Sequence, residues 1–251
     1  MRLRAAVMKN TTYKTFVFIC LMLAFHATNA YPGVRDFLKD TMESLGLTQE
    51  LSESEIVDGL KQALEIGTKK AVRLVSKKNG FMKNPKIKIP LPENVKKAES
   101  VLRNIGFGSK VDEFELSMNR AAERAAPKAK RIFWDAIKKM SFSDARKILD
   151  GPDDAATQYF RDSTSTQLHQ AFKPIVNQAM SEVGVTGAYQ SVDRTIQALP
   201  YIQALSLDLD KYVTDKALDG LFLMLAEEEK KIRQDPAARV TDLLKKVFAE
   251  K

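Results

Sequence analysis

Apolar residues recur at three- and four-residue steps along almost the whole chain after residue 33, and no stretch sustains the strict alternation of a strand. That period restricts the fold to helices packed on one another. The expected class is all-α, a multi-helix bundle. Val34–Leu45 gives a first short helix, closed by Gly46. Ser52-Glu-Ser-Glu55 is a capping box, in which each end satisfies a free backbone amide of the other. It opens a helix carrying Ile56, Leu60, Ala63, Leu64, Ala71, Leu74 and Val75, which Gly80 ends.

The pattern breaks once. Phe81 to Pro92 holds three prolines and cannot be helix. Ile87, Ile89 and Leu91 alternate there with Lys86, Lys88, Pro90 and Pro92. The expectation is an extended strap whose apolar side packs on the helices. Helical spacing then resumes over Glu93–Ile105 and from Ser109, read as a cap, to Ala126. Pro127 suits the first turn of another helix ending near Met140. A short helix covers Asp144–Asp150. Asp153 and Asp154 complement the amino end of a long helix that Pro174 should kink and Gly184 should end. A further short helix is expected between Gly187 and Leu199.

Asp208 caps the most apolar helix. From Leu221 to Ala226 it is apolar all round, which implies a helix surrounded by others, and Glu227-Glu-Glu-Lys-Lys231 should return it to solvent. After Pro236, the residues Val240, Leu243, Leu244, Val247 and Phe248 form one stripe on a last helix. That stripe can close the core or lie on an anionic membrane, and the turn at Asp235-Pro236 favours closure.

The amino terminus has the three-part layout of a secretory signal: Arg2, Arg4, Lys9 and Lys14, then the apolar run Phe16–Phe25, then Ala27-Thr-Asn-Ala30 with small residues for the peptidase. The run is too short for a membrane span, which needs about 20 apolar residues. Cleavage after Ala30 leaves 221 residues, read as one domain over 31–251. It also removes Cys20, the single cysteine, so disulfides and thiolate chemistry are excluded from the mature chain. The formal charge of +8 falls to about +4 without the four basic residues of the signal. That argues against a nucleic-acid partner. The expected location is the periplasm or the exterior.

Several runs are distinctive: Gly80–Pro92, Glu115-Leu-Ser-Met-Asn-Arg-Ala-Ala-Glu123, Asp154-Ala-Ala-Thr-Gln-Tyr-Phe-Arg161, Tyr212–Phe222 and Asp235-Pro-Ala-Ala-Arg239. With them the chain resembles the bacterial exported family called domain of unknown function 4197, over nearly all of its length after the signal. The resemblance implies a helical, exported protein and supplies no catalytic residue, substrate or cofactor.

Little in the residues supports chemistry. His169 is the one histidine left after cleavage, with Asp162 seven residues back. A triad needs a histidine held by a carboxylate, and zinc on one histidine plus carboxylates is unusual. No metal or cofactor is expected. Glu115, Asn119 and Glu123 share one helical face, so Glu115 and Glu123 are the candidate acid and base of an envelope hydrolase. The competing reading of that face is a surface laced with ion pairs. Arg161, near Tyr159 and Asp154 at the start of the long helix, can receive an anionic ligand bidentately or make an internal Arg–Asp tie between helices. The favoured function is a non-catalytic binding or scaffold protein, for a lipid-like ligand or an envelope protein partner, with Phe81, Ile87, Ile89, Leu91 and Arg161 as its contact residues. Membrane contact without spanning is compatible with that reading.

The export reading has a direct check. Mature protein should begin at Tyr31 in a soluble envelope fraction, and N-terminal sequencing that finds Met1 or Met8 on membrane-bound protein refutes it.

Overall fold

The computed structural model describes residues 52–182 and 208–239, together with 194, 195, 241 and 245. The chain divides into two compact units, Met1–Leu51 and Ser52–Lys251, and the described residues all lie in the second. The signal, its cleavage site at Ala30, the helix expected over Val34–Leu45, almost all of the one expected over Gly187–Leu199, and the stripe Val240–Phe248 lie outside the described residues.

The fold is all-α. In chain order the helices are α1 (Glu53–Ser76), α2 (Glu93–Asn104), α3 (Gly108–Ala125), α4 (Ala129–Lys139), α5 (Phe142–Asp150), α6 (Ala155–Glu182) and α7 (Leu209–Gln234). One 3-10 turn, Ala126–Lys128, joins α3 to α4, and another, Pro236–Ala238, follows α7. No strand occurs among the described residues. Local chemistry accounts for several boundaries. The Ser52 capping box is formed, with the Ser52 amide donating to Glu55 Oε2 at 2.8 Å. A second box links Ser141 and Asp144 at the start of α5. The Asp208 carboxylate accepts from the Lys211 amide at 2.9 Å and starts α7. Ser109 does not act as a cap. Phe107 occupies that position without a side-chain bond, and Ser109 falls inside the first turn of α3.

Helix α7 is the axis of the bundle, packed against α6, α1 and α3. Leu221, Phe222 and Leu225 are buried, as an all-round apolar helix requires. Three residues near them depart from the expectation. Leu223 is 42% exposed, because it faces the groove beside the strap rather than a helix. Glu228 and Glu229 are buried instead of returning to solvent, for reasons of hydrogen bonding given below. A Phe133–Phe160–Phe222 cluster fills the centre, with ring centroids 5.0 Å and 6.1 Å from Phe133 to its two neighbours.

The segment after α1 is not extended throughout. Residues 78–83 are turns closed by the Gly80 N–H on the Lys77 carbonyl and the Lys83 N–H on the Asn79 carbonyl, 85–87 turn because the Asn84 carbonyl accepts from both Ile87 and Lys88, and 88–92 run without regular structure. Asn79 sits at φ 67°, in the left-handed region that asparagine tolerates. Gly80 follows because an added Cβ would lie 2.5 Å from the Val75 carbonyl oxygen. Phe81, Ile87, Ile89 and Leu91 are all buried. Their seat on α7 is Gly220, where a Cβ would be 2.7 Å from the Phe81 ring and 3.0 Å from Ile87 Cβ.

Two effects therefore oppose each other in Gly220→Ala. Helix propensity favours alanine by about 1 kcal/mol, whereas overpacking costs about 1–3 kcal/mol. The ring and the β-branched Ile87 are held from both sides, so overpacking should win. The variant is expected to lose roughly 1–2 kcal/mol in a denaturant titration; a gain would mean that the strap is free to lift.

Candidate functional site

The face of α3 proposed to carry acid–base chemistry is the seat of the strap. Residues 81–89 have no helix or sheet ladder, and the backbone at buried Phe81 and Ile89 needs partners. Glu123 Oε1 accepts from the Phe81 and Met82 amides at 3.1 and 3.3 Å. Its other oxygen pairs with Arg120, which also donates to Asn79 Oδ1 at 2.7 Å. Asn119 forms a two-way amide pair with Ile89: it accepts from the Ile89 N–H and donates to the Ile89 carbonyl, both at 2.9 Å. Its amide nitrogen also donates to the Glu115 carbonyl. Glu115 itself pairs with Lys88 at 2.7 Å. Asp112 is bound to Arg103, whose guanidinium holds the Asp112 carboxyl below the usual carboxylate range. The run Glu115–Glu123 thus holds backbone and cations, and its carboxylates do not face a cleft together.

A second polar cluster was not foreseen. Glu229 of α7 accepts from the Ala156 and Thr157 amides, each at 2.9 Å, and from the Thr157 hydroxyl. These are free donors in the first turn of α6, so a carboxylate from another helix caps it. Arg233 pairs with Glu229 and donates to the Ile148 carbonyl at 2.7 Å, which ties in α5. Asp153 is bound by Gln234 rather than to the α6 amides. Burial pushes the Glu228 carboxyl up, but Lys231 and Lys70 outweigh it and hold it below its ordinary value.

Arg161 lies over the Phe222 ring, 4.5 Å from its centroid, and 3.9 Å from Asp219 of α7, an Arg–Asp pair between helices. His169 has its Nδ1 3.6 Å from Asp215 of α7, a cross-helix partner that spacing from Asp162 could not reveal.

His169 stands on the wall of a cleft of about 710 Å³ between α6 and α7. Lys173, Pro174, Asn177, Asp210, Lys211 and Thr214 complete its lining with Gln170 and Asp215. The charges are paired on the rim: Lys211 with Asp215 at 2.6 Å, and Asp210 with the Asn177 amide at 2.6 Å. The hydrogen bond to Asp215 pushes the Lys211 ammonium up and keeps it charged. Thr214 is different. It is buried, and its hydroxyl is the buried side-chain polar atom that lacks a hydrogen-bond partner among the described residues. Pro174 has no N–H to give the Gln170 carbonyl, so the ordinary i to i−4 bond is missing at this point of α6. No group of three or more metal-ligating side chains occurs among the described residues, and no described helix is long and apolar enough to cross a membrane.

Beside the strap lie a groove of about 200 Å³, with Lys86, Lys88, Lys216 and Asp219 on its walls, and one of about 120 Å³ at Pro90 and Leu91. Another space, about 20 Å³, lies under α1 against Glu229 and holds at most one water.

A family model described as "Protein of unknown function (DUF4197)" matches residues 50–249. No curated protein and no solved structure matches the chain.

The structural role of the α3 face is measurable. Asn119→Ala strands the Ile89 N–H and carbonyl in the interior, at about 1–3 kcal/mol each, and should destabilise the fold by roughly 3 kcal/mol. Glu115→Gln loses only the pair with Lys88 and should change stability by less than about 1 kcal/mol. Chemical denaturation of both variants checks the contrast, and equal losses would contradict it.

Proposed function

The chain belongs to the DUF4197 family, and from that premise we propose that it is a non-catalytic binding protein of the bacterial envelope that holds a segment of a protein partner in the α6–α7 cleft. The unpartnered Thr214 hydroxyl carries the reading. A buried hydroxyl without a partner costs about 1–3 kcal/mol, which a donor or acceptor brought by a partner can offset. Thr214 can donate, and the Gln170 carbonyl can accept. Donor and acceptor together suit a peptide backbone, and a rim of both charge signs suits mixed side chains. The volume lies within the ordinary range for binding clefts.

The absence of catalysis is supported by the duties of the buried acids. Glu123, Glu228 and Glu229 are committed to backbone amides or cations, and Glu115 to Lys88. A lipid-like ligand beneath the strap has less support, because Phe81, Ile87, Ile89 and Leu91 are packed and the adjoining grooves are small and lined with charge. Export rests on the amino-terminal layout alone.

Thr214→Val separates binding from structure, since the two side chains have nearly the same shape. If the hydroxyl serves a partner, the variant should melt at the same or a higher temperature, with a gain of up to about 1 kcal/mol. Native mass spectrometry of protein from its own host should show a bound polypeptide that the variant loses. A melting temperature that falls by several degrees overturns the assignment. So does a retained mass of only several hundred daltons, which would indicate a lipid-like ligand.

A further inference from the structure

Helix α4 has a buried face and an exposed one of unusual composition. Ala129, Ile132, Phe133, Ala136 and Ile137 face the core. On the other side Pro127, Arg131, Trp134 and Lys138 follow at four-, three- and four-residue steps, so they form one ridge. Lys128, Lys130 and Lys139 flank it, and all of these residues are exposed. Between Lys128 and Lys139 there are five cations and one carboxylate, Asp135, which stands 3.9 Å from Arg131. The ridge carries a large aromatic ring, Trp134, 40% exposed, and just past the helix lies Phe142, 44% exposed.

We infer that this ridge docks the protein on an anionic phospholipid surface. Cations alone would suit any polyanion, so the rings decide the class. A soluble surface gains nothing from exposing tryptophan and phenylalanine amid lysines, whereas a headgroup layer takes up both at once. The rings are also unsuited to stacking on bases. Lys138 Nζ lies 5.2 Å from the Trp134 centroid and the Arg146 guanidinium 5.6 Å from that of Phe142, so a cation covers one face of each. Their edges remain for the interface. A groove of about 490 Å³ between α4 and α6 adds a seat for a headgroup, with Lys128 and Arg131 on one wall and Gln167 and Gln170 on the other. Arg146 is tied to Glu53, so the attraction comes from α4 rather than α5. The inference goes beyond the cleft reading and stands without it, because no residue of the ridge is needed for the Thr214 site.

Trp134 is the chain's single tryptophan, so its fluorescence reports on this surface alone, even if another segment also meets lipid. The full chain is titrated with vesicles of phosphatidylglycerol in phosphatidylcholine, and separately with phosphatidylcholine alone. The Trp134 emission should shift to the blue and resist acrylamide on the anionic vesicles only, and 0.5 M salt should reverse it, where the Debye length has shrunk to about 4 Å. The triple variant Lys128→Gln, Lys130→Gln, Arg131→Gln keeps Trp134 and changes only exposed positions. It should melt normally and bind anionic vesicles on the order of a hundredfold more weakly, roughly fivefold per cation. The inference is overturned by an unshifted Trp134 on vesicles that the chain nevertheless binds, by an equal shift on neutral vesicles, or by a shift that salt does not reverse. A normally melting triple variant of wild-type affinity overturns it too, as does a response to single-stranded oligonucleotide but not to vesicles.

Discussion

The fold depends on how a proline-interrupted segment without a hydrogen-bond ladder can be buried at all. Residues 81–92 bring four large apolar side chains into the core, so the backbone at Phe81 and Ile89 needs partners there, while Lys83, Pro85, Lys86 and Pro90 stay exposed. Helix α3 meets that demand with side chains in place of a strand. Asn119 imitates a backbone pair to Ile89, and Glu123 offers one oxygen to two successive amides. Arg120 then joins Glu123 to Asn79 at the turn where α1 gives way to the strap. Three residues on one helical face thereby fix the path of some ten others. Gly220 supplies the matching space on α7.

The same device recurs at the other end of the bundle. The first turn of α6 has amides without intrahelical partners, and Glu229 of α7 takes two of them. The carboxylate is stabilised there by the helix dipole and by Arg233, which also reaches the last turn of α5. An acid that reads as solvent-facing in the run Glu227-Glu-Glu-Lys-Lys231 is for this reason buried. With its acids committed in this way, the molecule keeps for other uses an open cleft between α6 and α7 and a basic, aromatic ridge on α4. The two share Gln170 of α6 at their edges and otherwise draw on different residues.

The candidate residues show how a shared face can be legible when its meaning is not. The spacing of Glu115, Asn119 and Glu123 put them on one side of a helix, and they are there. What that side touches is set well earlier in the chain, at Phe81, 42 residues before Glu123, and Ile89, 30 before Asn119. His169 illustrates the converse: its partner Asp215 lies on another helix, and no local spacing connects them. Thr214 carried no signal at all, because an unpartnered hydroxyl is a property of its surroundings.

The sequence by itself determined the helical class, the capping boxes at Ser52 and the Asp208 cap, the burial of Leu221, Phe222 and Leu225, and the family. These follow from period and short-range hydrogen bonding, which neighbouring residues encode. Tertiary structure alone decided that Glu123 and Glu229 serve distant backbone, that Leu223 emerges beside the strap, that 81–87 turns rather than extends, and that α6 and α7 leave a cleft between them. Each of these depends on which groups meet across the core. A carboxylate has the same pattern in the chain whether its partner is water or a buried amide, so only packing tells the two apart.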